Sequence, residues 1–398
     1  MRIELAEWES AGDLDLSPAV IQQLARSSAF RIGPDPAHPN RWTLSAKQHV
    51  GITCIDDLEV RVRPKVRPDR LIELLVTSLD RIAWDHRDVA WAASDELIAT
   101  IAGAFLATAE RALNGGILQG YLTEEADLYA VRGRINLSRQ IARNPGLPLP
   151  IAVTYDEYTT DILENQLLAG AGRLLLRLPG LTSSLQLQLR RLEYRLLEVT
   201  PIRPSPTPPS VQWTRLNLRY RPAVTLARII LKWGALDFED EGSTNAAAFI
   251  VDMNQVFEDV VGHGIRGALG STLTVDLQVG DYLDAHRQVP IRPDIVIRDG
   301  SRVIAVADVK YKQVAQKGVS SDDVFQAVAY ATRHGLPECT LVYPERPPIG
   351  RLEVGNVTIS LAAIELNQAH AQRTASIRAL ADRLKRASLL RSGSSSAQ

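Results

Sequence analysis

Between residues 292 and 312 the chain reads RPDIVIRDGSRVIAVADVKYK. Two apolar runs, 295–297 and 303–307, have the β-branched content of strands. Arg298-Asp299-Gly300-Ser301 between them has the composition of a hairpin turn. Asp294 opens the first run, and Asp308 and Lys310 close the second. A hairpin therefore brings two carboxylates and an ammonium group to one end of a sheet. Crowded charges cost free energy unless they are paired or bound to a cation, so this end of the sheet needs a chemical reason.

With 398 residues the chain has room for two or three domains, each with its own core. Its 45 basic and 46 acidic residues nearly cancel, so bulk charge announces no nucleic-acid partner and any basic surface is local. Cys54 and Cys339 both lie inside apolar runs and read as small buried hydrophobes; two cysteines cannot make a disulfide framework or a zinc site. The first residues, MRIELAEWESAGDLDL, are acidic throughout and lack the apolar core of a signal peptide. No stretch approaches the ~18 consecutive apolar residues of a membrane span. A cytoplasmic location is expected by default, with no membrane partner.

The patterning predicts an α+β multidomain protein. Residues 1–68 form a β-rich N-terminal domain, in which Leu58, Val60 and Val62 alternate with Glu59, Arg61 and Arg63. Residues 69–240 are mainly helical, with helices over 69–83, 94–116, 159–178, 182–197 and 221–233. A β-pair is expected between 129–137 and 151–158. Five prolines in TPIRPSPTPPS (200–210) rule out helix or central strand and make an extended connector. A third domain spans 241–390, and 391–398 is a disordered tail.

This C-terminal domain reads helix, three strands, helix, strand. Its first helix is expected over 245–269, with Phe249, Ile250, Met253, Val256, Phe257 and Val260 as the apolar stripe. Glu258 stands just off that stripe. Asp308 and Lys310 share one face of their strand. Gln326 and Tyr330 share one face of the following helix. Metal-assisted phosphodiester hydrolysis suits the set. Asp294, Asp308 and the Val309 carbonyl are hard oxygen ligands for Mg²⁺, with Mn²⁺ as a substitute. Lys310 is placed to orient or deprotonate the attacking water and to stabilise the phosphorane charge. Lys312 faces the same side and is a candidate DNA-phosphate contact.

The ordered set FE, RPD, DVK and QAVAY resembles the PD-(D/E)xK nuclease superfamily, and within it the McrC family, the nuclease subunit of McrBC-type, GTP-dependent restriction of modified DNA. HVGITCIDDLEVRVRPKV, VRGRINLSRQ, YDEYTTDILENQLL and MNQVFEDVV extend the likeness over about residues 1–370. The resemblance implies a restriction-endonuclease-like αβββαβ core. Glu258, Asp294, Asp308 and Lys310 match the catalytic motif, and Gln326 and Tyr330 the supporting helix. It also implies double-stranded, modified DNA as substrate, a role in anti-phage defence, and an AAA+ GTPase ring of the McrB type as partner. The chain has no GxxxxGK[ST] loop, so GTP is expected on the partner. Arg61, Arg63, Lys65 and Arg67 form a basic stripe, the candidate surface through which this chain stimulates that GTPase. Two such complexes are expected to pair through their nuclease domains. A stand-alone RecB-like repair nuclease and a non-catalytic activator of an AAA+ ring are the alternatives.

Overall fold

The computed structural model describes residues 1–79, 96–143, 145–235, 247–270 and 272–392. The N-terminal part holds β1 (Arg2–Ala6), β2 (Ser10–Leu14), α1 (Pro18–Arg26), β3 (Phe30–Pro34), β4 (Trp42–Ala46), β5 (His49–Ile55), β6 (Leu58–Arg63) and α2 (Pro68–Leu79). The middle holds α3 (Leu97–Leu113), β7 (Gly120–Leu128), β8 (Arg134–Ile135), α4 (Leu137–Arg143), β9 (Ile151–Thr159), α5 (Leu163–Arg177), α6 (Ser183–Arg195) and α7 (Arg221–Trp233). The last part begins with β10 (Ala247–Asp252), α8 (Met253–Leu269), β11 (Thr274–Leu277), β12 (Asp281–Tyr282), β13 (Pro290–Ile291), β14 (Ile295–Asp299) and β15 (Arg302–Val309). It ends with α9 (Val314–Lys317), α10 (Ser321–Arg333), β16 (Glu338–Tyr343), β17 (Arg351–Val354), β18 (Val357–Ala363) and α11 (His370–Ser392).

Two compact units result: one of Met1–Gly51, Leu58–Trp84 and Ile250–Gln398, the other of Ile52–Asp57 and Asp85–Phe249. Most of the N-terminal β-rich segment thus belongs with the C-terminal part, and the boundaries differ from those drawn along the sequence. Long-range side-chain links make the difference. Buried Glu73 on α2 pairs with Arg373 and His370 on α11, nearly 300 residues away.

In the first unit, β11-β14-β15-β16-β18-β17 form a six-stranded sheet. β11, β14 and β15 run antiparallel, β15, β16 and β18 parallel, and β17 antiparallel at the edge. The buried faces of α10, β16 and β18 share a core of Ala327, Tyr330, Leu341, Tyr343, Ile359 and Leu361. At the N-terminus, β1 pairs parallel to β6 and β2-β4-β3 form a small antiparallel sheet. Among the described residues, no helix is long and apolar enough to cross a membrane.

The helix expected over 245–269 starts later. Residues 247–252 are β10, and α8 begins at Met253. Residues 247–251 are all buried, so the segment lacks the polar face a surface helix presents. Asp252 then ends the strand and caps α8, its carboxylate accepting from the Asn254 N–H at 2.9 Å. Phe249 and Ile250 therefore belong to the strand and not to the helical stripe.

In the second unit β9 takes β7 as its main partner, from Gly120 opposite Thr159 to Leu128 opposite Ile151. The expected 129–137 segment forms ladder pairs at Arg134 and Ile135, with the Asn136 N–H also donating to the Ala152 carbonyl at 2.8 Å. Gly133 turns there at φ +70°, where a Cβ would lie 2.4 Å from the Thr154 carbonyl oxygen, and α4 starts at Leu137. Too few extended residues remain for a longer strand. The proline-rich connector is free of helix and strand and runs along α5 and α7: Ile202 N–H donates to Gln166 O and Ser205 N–H to Leu231 O, each 3.2 Å. Gly170 permits the approach, since a Cβ there would meet the Ile202 oxygen at 2.2 Å. Residues 391–392, expected in the disordered tail, instead end α11, while the expected helix start at 94, residues 80–83 and tail residues 393–398 lie outside the described residues.

Candidate active site

The antiparallel register sets Ile295 opposite Ala307. Asp294 and Asp308, the next residue outward on each strand, are therefore neighbours at the sheet's end. Asp294 Oδ2 accepts from the Val309 N–H at 2.7 Å, which locks its carboxylate across the strand end. Alternation returns Lys310 to the face of Asp308, with Nζ 2.7 Å from Asp308 Oδ2. Lys310 is thus the close cationic partner of a carboxylate that is almost fully buried.

Glu258 comes from the second turn of α8. Asn254, four residues earlier on the same helix face, donates to its Oε1, and Gln278 Nε2 donates to its Oε2 at 2.7 Å. Burial raises the Glu258 carboxyl to about 7; the charges of Asp308 and Asp252 add to this, against the Gln278 hydrogen bond and Lys310. Burial, then the charge of Glu258, raises Asp294. Burial, then the charge of Asp294, raises Asp308 to about 7 in spite of Lys310. Burial alone pulls Lys310 down, but Asp308 and the other carboxylates outweigh it and hold the ammonium charged. Three carboxyls thus share a site whose single close ammonium satisfies only part of their charge.

The pair on α10 acts on the approach to Asp294. Gln326 Nε2 donates to Tyr330 Oη at 2.7 Å, and the buried Tyr330 hydroxyl donates to the Arg292 carbonyl at 3.2 Å. Lys312, assigned above as a DNA-phosphate candidate, reaches across to buried Asp323, 2.6 Å away, which also accepts from Tyr343 Oη at 3.2 Å. Its charge is engaged within the fold.

Several residues of the site gave no signal in the sequence. Gln278 adopts φ +51°, rare for a side chain with a Cβ, and its N–H donates to the Asp294 carbonyl at 2.9 Å. Tyr311, beside Lys310, is buried and donates to Glu7 Oε2 at 2.8 Å. Glu7, at the end of β1, also accepts from the Lys65 N–H at 2.8 Å, and burial raises its carboxyl. A single-sequence period cannot show such pairs, because Glu7 and Tyr311 are 304 residues apart.

The basic stripe divides on folding. Arg63, Lys65 and Arg67 are exposed, and Arg61 is half-buried and paired with Glu59. Arg67 pairs with Asp69 at 3.1 Å. The four cations lie apart from the carboxylate cluster in sequence, on and just after β6.

A divalent cation suits this donor set. Asp294 and Asp308 offer two hard carboxylates, buried side by side with their mutual repulsion only partly offset by Lys310, a charge that such an ion would compensate. Among the described residues no three His, Cys, Asp or Glu side chains converge as a complete cage. Mg²⁺ rarely needs one, since it keeps several waters and takes one or two carboxylates. The arrangement can hold such an ion, keep a lysine ammonium beside it and store a proton on Glu258 near neutral pH.

Residues 44–344 match the family model described as McrBC 5-methylcytosine restriction system component. The structure is similar to a chain in the refined half-complex from a tetradecameric assembly of Thermococcus gammatolerans McrB AAA+ hexamers with bound McrC. That likeness has a TM-score of 0.62 at 18% identity and covers 96% of this chain and 100% of the other, which shows a shared fold. A second likeness, to the cryo-EM structure of the Thermococcus gammatolerans McrBC complex, has a TM-score of 0.43 at 19% identity, covering 68% and 89% of the two chains. No curated protein matches the sequence.

Proposed function

This chain belongs to the McrBC 5-methylcytosine restriction system component family, and from that premise we propose that it is the DNA-cutting subunit, an Mg²⁺-dependent endonuclease with a PD-(D/E)xK core. One observation carries the proposal. The β14–β15 register sets Asp294 beside Asp308, with Lys310 Nζ 2.7 Å from an oxygen of the buried Asp308 carboxylate. Asp294, Asp308 and the Val309 carbonyl would hold the cation. Bound there, it would supply Lewis-acid polarisation of the phosphoryl oxygen and a more acidic water.

The chain's own groups do the rest. Lys310, held charged by its carboxylate neighbours, orients the attacking water and stabilises charge developing on the phosphate oxygens. Glu258, poised at about 7, accepts or returns a proton at the edge of the site. Gln326 and Tyr330 fix the Arg292 carbonyl and thereby the backbone that delivers Asp294. Tyr311, tied to Glu7 and placed next to Lys310, limits the freedom of the lysine's backbone.

The similar chain comes from an assembly containing McrB AAA+ hexamers, and the same kind of ring is the partner proposed here. It binds the GTP, and this chain stimulates its hydrolysis through the exposed cations after β6. Double-stranded, modified DNA is the proposed substrate. The test is cleavage of modified duplex DNA by the chain with its AAA+ GTPase, wild type against Asp308→Ala. Cleavage is expected to disappear while ring binding and GTPase stimulation persist. Cutting at the wild-type rate by the variant would refute the assignment.

A further inference from the structure

The Arg292 side chain has no role in the proposed chemistry, yet it is exposed and held by two hydrogen bonds to one residue. Its Nε donates to the Gln278 carbonyl at 3.0 Å and its Nη2 to Gln278 Oε1 at 2.9 Å. Its own carbonyl is held by Tyr330. The clamp is Gln278, whose left-handed backbone lets one side-chain amide reach two ways: Oε1 accepts from Arg292 while Nε2 donates to Glu258. Non-glycine residues in that conformation gather where a site over-determines the backbone.

Every partner of this guanidinium is neutral. Four other cations of the same unit are spent on carboxylates: Arg298 on Asp276 at 2.8 Å, Arg333 on Asp281 at 3.1 Å, Arg351 on Glu353 at 2.8 Å and Lys312 on Asp323 at 2.6 Å. Arg292 is in no ion pair among the described residues, lies exposed, and stands two residues before Asp294. A guanidinium held in one place with its charge uncompensated is preorganised for an anion of phosphate geometry.

We infer that Arg292, clamped by Gln278, binds a DNA backbone phosphate next to the one being cut, the task that the sequence pattern assigned to Lys312. The inference rests on the nuclease reading.

The test is binding of the full-length chain to a short fluorescent duplex without divalent cation, so that no strand is cut, over a series of salt concentrations. Each phosphate neutralised adds about 0.9 to the slope of log affinity against log salt. Arg292→Gln is expected to lower that slope by about 0.9 and to weaken binding several-fold at low salt. Arg292→Lys should restore most of the slope, because charge is retained, but with weaker binding than wild type, because the lysine cannot take both Gln278 acceptors. Lys312→Gln should keep the wild-type slope. An unchanged slope in Arg292→Gln, or no measurable binding by the wild-type chain at low salt, overturns the inference. Its failure is distinguishable from failure of the nuclease reading: there, Asp308→Ala would still cut DNA in the presence of the ring, whatever Arg292 does.

Discussion

Replacing Asp308, the carboxylate proposed to hold the cation, should stabilise the protein while silencing it. In the wild type, Asp308 is almost fully buried beside Asp294, and its carboxyl lies at about 7 against an ordinary 3.8. Burial and the neighbouring Asp294 charge thus make the charged form cost the folded state free energy, on the order of a few kcal/mol, once the pH exceeds the folded value. This figure already includes the attraction of Lys310, because it compares charged with neutral Asp308. Asp308→Asn puts a neutral group of the same shape there. Water entry and relaxation of Lys310 reduce the gain, so about 2 kcal/mol of added stability is expected near pH 8. The sign follows from proton linkage. A carboxyl raised on folding destabilises the folded state increasingly as pH climbs from the unfolded value through the folded one. The advantage of the variant should therefore fall to less than half near pH 5 and vanish near the unfolded value. Urea denaturation of the full chain in chelator, at both pH values, measures it. Mg²⁺ should then raise the midpoint of the wild type more than that of the variant. A variant less stable than wild type near pH 8, or a gain that does not shrink on acidification, would refute the reasoning that the site is carboxylate-strained when empty.

Lys310→Ala should abolish cutting while leaving Mg²⁺-dependent stabilisation in place, since lysine is no ligand; loss of that stabilisation would place Lys310 in the ion's own support. Tyr311→Phe removes a buried hydroxyl from Glu7 and should cost about 1–3 kcal/mol in urea denaturation, with an effect below the error of the method counting against the Glu7 link. Charge reversal of exposed Arg63 and Lys65 to Glu should reduce stimulation of the partner GTPase and leave Asp308-dependent cutting chemistry folded and Mg²⁺-responsive; undiminished stimulation at limiting protein concentration would move the ring contact elsewhere. Mixing wild-type chain with Asp308→Ala chain should yield nicked duplex as a major product if two copies each cut one strand, whereas fully cut and uncut DNA alone would require one copy to make both cuts.

Much of the site was legible from short-range periods. Alternation put Asp308 and Lys310 on one strand face, the hairpin expected at 298–301 formed with a tighter turn at Gly300-Ser301, Arg298 and Asp299 joining β14, and folded Asp294 back beside them, and the four-residue spacing of Gln326 and Tyr330 put both on one face of α10. These relations are local, and steric rules for strands, turns and helices determine them before the chain has any tertiary fold. What local rules could not decide is who meets whom across the chain. Residues 247–252 satisfied a helical stripe yet became β10, because a run buried on all sides is settled by its surroundings rather than by its own period. Lys312 had the position of a DNA contact until Asp323 arrived from α10 to take its charge. Glu7 and Tyr311 are strangers in sequence, and Gln278 acquires its φ of +51° only because Asp294, Glu258 and Arg292 converge on it. Local sequence pattern was enough to nominate Glu258, Asp294, Asp308 and Lys310 as candidates and to give the order in which they come. Tertiary structure decided which of those charges are spent inside the fold and which stay free for a ligand, because a charge's partner is set by distance in space, and that distance does not exist until the sheet and its helices have packed.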